Sequence, residues 1–230
     1  MACMICIETS GATCSAAVCR DGRPLFSRCD RSAGHADRLG TFIDEALAYV
    51  DGHGLTLSGV AVSGGPGSYT GLRIGVSMAK GICYGRDIKL VAVPTLMLMA
   101  AEALDGGCVP AGNVLLCPMI DARRMEVYAA VYDTSLNAIR DVHNDIVDAD
   151  TYRALLDSHK VYFFGNGAAK CASVISHPNA LYIKDIEPLA ENMGTIAGRL
   201  LAAGATEDVA YYTPFYLKPY VAGKPKKLLP

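Results

Sequence analysis

The sequence lacks a strong excess of charge of either sign, because its 21 Lys and Arg residues nearly balance its 23 Asp and Glu residues. Strong direct binding of nucleic acid normally needs a basic surface, so we do not expect it here. The sequence also lacks an apolar run long enough to span a bilayer, and it lacks the pattern of a signal peptide. We therefore expect a cytoplasmic protein with no membrane contact.

A disulfide framework is also missing, since the nine cysteines are odd in number and irregularly spaced. Most of them stand among apolar neighbours, as Cys83 and Cys117 do, which indicates buried free thiols in a reducing compartment. Cys3 and Cys6 have Cys-x-x-Cys spacing, but a strand would point them to opposite faces of its sheet. We do not expect this pair to bind a metal.

Two series of secondary-structure elements follow one another along the chain. In the first series, apolar alternation and turn residues predict strands at 2–7, 14–20, 24–29, 59–63 and 88–93, with helices at 35–50, 72–84 and 94–104. In the second series, strands are predicted at 114–120, 126–132, 138–142, 161–164 and 181–184, with helices at 151–157, from 165–167 to about 175, and at 189–203. Each series has the order strand, strand, strand, helix, strand, helix, strand, helix.

This repeated order predicts two lobes, residues 1–105 and 106–230, divided near Asp105-Gly106-Gly107. Antiparallel strands followed by strand–helix units predict a mixed sheet covered by helices in each lobe. By analogy, two such lobes form the actin-like (ASKHA, ribonuclease H-like) α/β fold of actin, hexokinase and Hsp70. Fold alone does not determine function.

Four segments resemble one known family. They are Ile5–Ser10 (ICIETS), Gly64–Gly75 (GGPGSYTGLRIG), Ile120–Tyr128 (IDARRMEVY) and Pro214–Leu217 (PFYL). Together they resemble the TsaB (YeaZ) family and, in the glycine-rich run, its paralogue TsaD. Tyr69 replaces the phenylalanine that is usual in TsaB members. The resemblance runs the length of the chain.

One chemical feature divides this family from its paralogue. TsaD has a His-x-x-x-His metal pair on its first long helix, where residues four apart share one face. Here His35 is followed four residues later by Leu39. The resemblance therefore implies an accessory subunit with no catalytic residue, metal or cofactor.

The resemblance also implies partners. It implies that the chain binds TsaD, acts with the ATPase TsaE, and supports formation of threonylcarbamoyladenosine at adenine thirty-seven of tRNAs that read codons beginning with A. Contact with tRNA is then indirect, and the chain alone forms a homodimer. The lysine-rich tail, which contains Lys218, Lys224, Lys226 and Lys227, is predicted to be extended and either solvated or in contact with tRNA or TsaE.

In the family, the first two long helices form the partner surface. The residues we predict at this interface are Arg38, Leu39, Phe42, Leu72, Arg73, Val76 and Lys80. Gly71, Gly75 and Ala79 form a stripe of small residues on the second of these helices. The stripe either admits a partner helix or packs on the protein's own sheet.

A nucleotide site is a weaker hypothesis. Its candidate residues are Ser10, Gly11, Thr13, Gly65 and Gly67. Glu8 stands where the superfamily usually has a metal-linked aspartate, and no Gly-Lys-Ser/Thr ends the glycine run as in a P-loop. We favour glycines that permit a sharp turn and close packing over an anion-binding nest.

Two enzymatic alternatives remain open at this stage. One is a small-molecule kinase or ATPase of the actin-like superfamily. The other is a glycoprotease-like peptidase, for which Ser63, Ser68 and Thr70 are nucleophiles in type but have no evident base. For Asp121, Arg123, Arg124 and Glu126 we favour a salt-bridged turn over an acid–base pair, and such a turn could also face a partner.

Overall fold

The predicted order of elements is confirmed in both halves of the chain. The computed structural model describes residues 2–32, 35–110 and 112–218, without the side chains of 35–37. In the first half the elements are β1 (Cys3–Glu8), β2 (Cys14–Arg20), β3 (Arg23–Asp30), α1 (His35–Gly52), β4 (Gly59–Gly65), α2 (Tyr69–Arg86), β5 (Lys89–Pro94) and α3 (Thr95–Asp105).

The second half repeats this order with shorter helices. It contains β6 (Val114–Asp121), β7 (Glu126–Tyr132), β8 (Ala138–Ile146), α4 (Arg153–Leu156), β9 (Lys160–Phe164), α5 (Ala168–Cys171), β10 (Ala180–Tyr182), a 3-10 turn (Ala190–Asn192) and α6 (Gly194–Ala202). The predicted helix that ends near residue 175 is reduced to α5. Strand β8 continues to Ile146 instead of residue 142, because Ile146 still pairs with Glu126 of β7.

The two sheets have the same strand order. The first is β3-β2-β1-β4-β5 and the second is β8-β7-β6-β9-β10. In each sheet the first three strands pair antiparallel, and the last two join them in parallel. The predicted α/β fold, with a repeated order of elements and two mixed sheets packed with helices, is therefore confirmed.

The last part of the chain returns to the first sheet. Ala190, Met193, Ile196 and Ala197 pack against one face of that sheet, on Met4, Cys6, Ala17, Cys19, Ala61, Val91 and Val93. Farther along, the backbone amide of Glu207 donates to the carbonyl of Leu90 on β5. A division of the chain at residue 105 leaves one sheet on each side. That the two parts are separate lobes stays a prediction.

The cysteines are free thiols, and all of them except Cys29 and Cys108 are buried. This confirms the expectation of buried thiols for most of the nine. None of the helices in the described part of the chain is both long enough and apolar enough to cross a bilayer.

Helix α2 packs on the first sheet through its small residues. Gly71, Gly75 and Ala79 are all buried on the sheet side of the helix. A Cβ atom at Gly71 would overlap the carbonyl oxygen of Thr9, and the Thr9 hydroxyl donates to the Gly71 carbonyl at 2.7 Å. Of the two interpretations of this stripe, packing on the protein's own sheet is therefore the one observed.

We expect Gly71→Ala to lower the free energy of unfolding by about 2 kcal/mol, because the added methyl group meets backbone that cannot move aside easily. The matched change Gly81→Ala lies on the same helix, where no heavy atom is within 4 Å of the new Cβ. It should instead raise stability by about 0.5–1 kcal/mol through helix propensity. Urea unfolding measures both, and equal effects would contradict this packing.

Candidate functional site

A cleft of about 900 Å³ lies between residues of the two predicted lobes. One wall comes from the first lobe and comprises the β1–β2 loop and the start of α2. The other wall comes from the second lobe and includes the β6–β7 turn. The residues that line the cleft include Ser10–Thr13, Pro66–Thr70, Ile120–Arg124, Glu126, Tyr128, Ile186–Pro188 and Phe215–Lys218.

Four of the five predicted nucleotide-site residues line this cleft, namely Ser10, Gly11, Thr13 and Gly67. Gly65 does not. Its φ of 107° suits glycine, and a Cβ there would lie 2.5 Å from the carbonyl oxygen of Phe215. Gly67 is held equally closely, since its Cβ would lie 2.6 Å from the carbonyl oxygen of Ser10. The glycine run therefore lets two loops and a later segment approach one another.

Several donors on the first-lobe wall are used inside the protein. The Ser68 amide donates to the Ser10 carbonyl at 2.7 Å, and the Ser10 amide donates to Glu8 Oε1 at 2.5 Å. The Thr13 hydroxyl donates to Glu187 Oε2 at 2.6 Å. Phosphate binding by such loops needs free N–H groups. This wall thus favours the packing interpretation, and nucleotide binding stays a prediction.

The Glu187 carboxylate contacts this wall. It lies against the β1–β2 loop through Thr13, and its other oxygen accepts from Arg31 Nε at 2.7 Å. The carboxylate thereby occupies the Thr13 hydroxyl, which is then not available to a ligand in the cleft.

Glu8 lies behind the wall and not in the cleft. It is fully buried, and burial raises the pKa of its carboxyl to about 7, although hydrogen bonds from Ser10 act in the opposite direction. The Ser63 hydroxyl donates to its Oε2 atom. Our expectation that no base lies beside Ser63 is therefore wrong. Ser63 is itself fully buried, however, so a peptide bond has no access to this pair.

The β6–β7 turn brings two arginines to the opposite wall. Arg123 and Arg124 have φ angles of 70° and 49°, so two successive non-glycine residues adopt the left-handed conformation. Both are exposed at the cleft. Within the described residues, neither guanidinium forms an ion pair or a hydrogen bond.

Lys170 of α5 stabilises the β6–β7 turn. Its ammonium group donates to the carbonyls of Arg124 at 2.7 Å and Glu126 at 2.6 Å, and it forms an ion pair with Asp121. This pair holds the pKa of Asp121 below its usual value. The expected salt-bridged turn is thus present, but its cations are Lys170 and, at Glu126, Lys218.

The segment that contains Phe215 and Tyr216 spans the cleft from one lobe to the other. The Phe215 amide donates to the Gly64 carbonyl at 2.7 Å, and the rings of Tyr216 and Tyr69 lie 4.8 Å apart. Lys218 then pairs with Glu126 of the second lobe. The other lysines predicted in the tail lie outside the described residues.

The predicted interface residues fall into two groups. Leu39, Phe42, Leu72 and Val76 are buried in the core of the first lobe. An interface with a partner needs exposed side chains, and Phe42 and Val76 are not exposed, because the apolar stripe of each amphipathic helix faces the protein's own sheet.

The charged members remain outside the core. Arg38 and Arg73 are exposed, and Arg38 pairs with Asp30 at 3.3 Å. Lys80 is half-buried and donates to the carbonyls of Ala210 and Tyr212. The Lys80 ammonium group is therefore hydrogen-bonded to a later segment of the same chain.

The outer face of α2 carries Gly81, which the sequence marks as a further small residue on this helix, and residues that we did not predict at the interface. Ser77, Gly81 and Tyr84 are exposed there, and Tyr84 is 86% exposed. Ile74 and Met78 are half-buried beside them. Ser77 and Gly81 stand four residues apart, as the buried Gly71, Gly75 and Ala79 do, so this spacing marks two faces of the helix without showing which one is exposed.

The pKa of Glu8 yields a test of its burial. Because the folded pKa of about 7 exceeds the ordinary value of 4.5, folding favours the protonated form. The resulting stabilisation is complete below pH 4.5 and is lost as the pH rises to about 7. Glutamine does not ionise, so Glu8→Gln should not lose this stabilisation. The free energy of unfolding of the variant, relative to that of wild type, should therefore rise by about 3 kcal/mol between pH 4.5 and about pH 7. Urea unfolding at several pH values measures the difference, and a difference that does not change with pH would contradict the burial.

Comparison with known proteins places the chain in a family. The family model described as TsaD: tRNA N6-adenosine threonylcarbamoyltransferase matches residues 30–218. The chain is similar to the tRNA threonylcarbamoyladenosine biosynthesis protein TsaB of Escherichia coli (strain K12), with 31% identity over 96% of each chain. TsaB of Bacillus subtilis (strain 168) is 28% identical over 84% of this chain and 79% of its own length.

A solved structure has the same fold. YeaZ from Pseudomonas aeruginosa superposes with a TM-score of 0.75 and 24% identity, covering 94% of this chain and all of that one. The four sequence motifs, the relatives and the fold agree, and the chain belongs to the TsaB (YeaZ) family.

Proposed function

We propose that this chain is a non-catalytic subunit in the formation of threonylcarbamoyladenosine in tRNA. In this proposal it binds TsaD in the cytoplasm and works with TsaE, while TsaD carries out the transfer to adenine thirty-seven. The names of the TsaB relatives support the pathway. The match to the TsaD family model supports a shared ancestry of the two subunits.

The observation that carries this proposal is the outer face of α2. Ser77 and Gly81 leave the helix backbone bare, and no heavy atom lies within 4 Å of a Cβ added at Gly81. The half-buried side chains of Ile74 and Met78 supply apolar area beside this strip. Bare backbone flanked by apolar side chains allows a second helix to approach closely and bury both.

Helix α1 extends this surface. Thr41, Asp44 and Ala48 are exposed on its outer side, and Arg86 of α2 forms two hydrogen bonds with Asp51 of α1. This ion pair joins the two helices at one end. We infer that the two outer faces form one partner surface, which TsaD or a second copy of this chain occupies.

The cleft supports a role without chemistry. The backbone amides of Ser10 and Ser68 on its first-lobe wall donate within the protein, and Glu8 is fully buried behind that wall. The sequence has Leu39 where the second histidine of a metal pair would stand. In this proposal the chain contributes by binding: it stabilises the TsaD conformation that is competent for transfer.

We expect Gly81→Arg to weaken binding to TsaD at least tenfold, a loss of about 1.4 kcal/mol, because the new side chain prevents close helix approach. Gly198→Arg is the matched control, since it also replaces a helical glycine with open space around its Cβ. Both changes should leave the fold intact, because arginine is a better helix former than glycine. A binding titration with TsaD measures the effect.

The same titration tests the location of the surface. If Gly81→Arg and Gly198→Arg bind TsaD equally, the partner surface is not on α2. Size-exclusion chromatography of the chain alone should also show that Gly81→Arg dissociates the expected homodimer while Gly198→Arg does not.

Reconstitution tests the function itself. Modification of tRNA is measured with TsaD, TsaE and threonylcarbamoyl-adenylate, with this chain present, absent or replaced by Gly81→Arg. We expect activity only in the arm with the wild-type chain. Equal modification without the chain would overturn the proposed role.

A further inference from the structure

The cleft has an excess of positive charge on its second-lobe wall. Each nearby carboxylate has a cationic partner: Asp121 pairs with Lys170, Glu126 with Lys218, and Glu187 with Arg31. In the part of the chain that the structure describes, Arg123 and Arg124 form no ion pair, although their charges help to lower the pKa values of Asp121 and Glu126, respectively. The two guanidinium groups are therefore available to an anion from outside.

The backbone conformation at Arg123 and Arg124 costs conformational free energy. A non-glycine residue in the left-handed conformation loses about 1 kcal/mol, and here two such residues are adjacent. Glycine or asparagine would adopt these angles more easily. Lys170 further restricts the turn through the carbonyls of Arg124 and Glu126. Strain of this kind tends to occur where a side chain must be presented to a ligand.

The cleft also has apolar surface near this turn. Ile120 and Tyr128 border the arginines, and Phe215, which is 52% exposed, faces the same space with Tyr216. A ligand that fits this surface therefore combines negative groups with apolar groups. Carboxylates suit arginine well, since the planar guanidinium binds them through two parallel hydrogen bonds.

Nucleotides and RNA fit less well. On the first-lobe wall the backbone amides of Ser10 and Ser68 and the hydroxyl of Thr13 already donate to acceptors within the protein. Binding to an RNA backbone needs several cations in a row, and the whole chain has a net charge of −2. Residues 219–230 contain three lysines and no Asp or Glu, so their charge does not complement the arginines.

We propose that Arg123 and Arg124 form the anchor of a docking site for an acidic segment of a partner protein. Its carboxylates bind the two guanidinium groups, and its apolar side chains lie on Phe215 and Tyr128. This site is separate from the outer face of α2 and does not depend on the function proposed above.

The test uses the full-length chain and a fluorescent synthetic peptide of alternating glutamate and leucine. Fluorescence anisotropy measures its binding to the wild type, to Arg123→Gln/Arg124→Gln, and to the control Arg20→Gln/Arg23→Gln. The control removes two exposed arginines that flank the β2–β3 turn, remote from the cleft lining. We expect at least tenfold weaker binding for the first variant and no change for the control.

Further measurements identify the class of ligand and show whether the arginine variant remains folded. A glutamine-for-glutamate peptide, single-stranded polyuridine and Mg-ATP should all bind more weakly than the acidic peptide. The Arg123→Gln/Arg124→Gln variant should unfold at the same urea concentration as the wild type, and Gly81→Arg should bind the peptide normally. The proposal is overturned if the peptide does not bind, if both arginine pairs matter equally, or if polyuridine or Mg-ATP binds more tightly.

Discussion

The end of β1 touches the glycine run at the start of α2, with no side chain between the two backbones. The carbonyl of Thr9 lies against Gly71, and the carbonyl of Ser10 lies against Gly67 and accepts from the Ser68 amide. This contact determines how closely α2 packs on the first sheet. It also occupies the Ser68 amide, an N–H group that a phosphate bound at this loop would need, so one packing constraint shapes both the core and the cleft.

The same contact determines which side of α2 faces outward. Because Gly71 and Gly75 must face the sheet, Leu72 and Val76 enter the core with them, and Ser77 and Gly81 are turned to the surface. The helix therefore has two sets of small residues with different roles. The inner set permits packing within the lobe, and in our proposal the outer set permits packing against a partner.

The sequence predicted the architecture well because its local signals were strong. The Asp21-Gly22 turn has the positive φ angles that such a pair allows, and the repeated element order matches two sheets with the same topology. The side-chain environment of the cleft was harder to predict. Thr13 meets Glu187, Ser63 meets Glu8, and Lys170 holds the turn at Arg124, and each of these contacts joins residues far apart in the chain. Spacing alone also could not decide which of two small-residue stripes would face the sheet.

The return of residues 190–202 to the first sheet has a consequence for biosynthesis. Met4, Cys6 and Ala17 leave the ribosome early, but Met193 and Ile196, which cover them, are made only after the whole second sheet has been translated. Until then Leu98 and Ala101 of α3 cover only part of this apolar face, and the rest waits for contacts of high sequence separation. The first sheet therefore completes its hydrophobic core only after residues 190–197 have been synthesised.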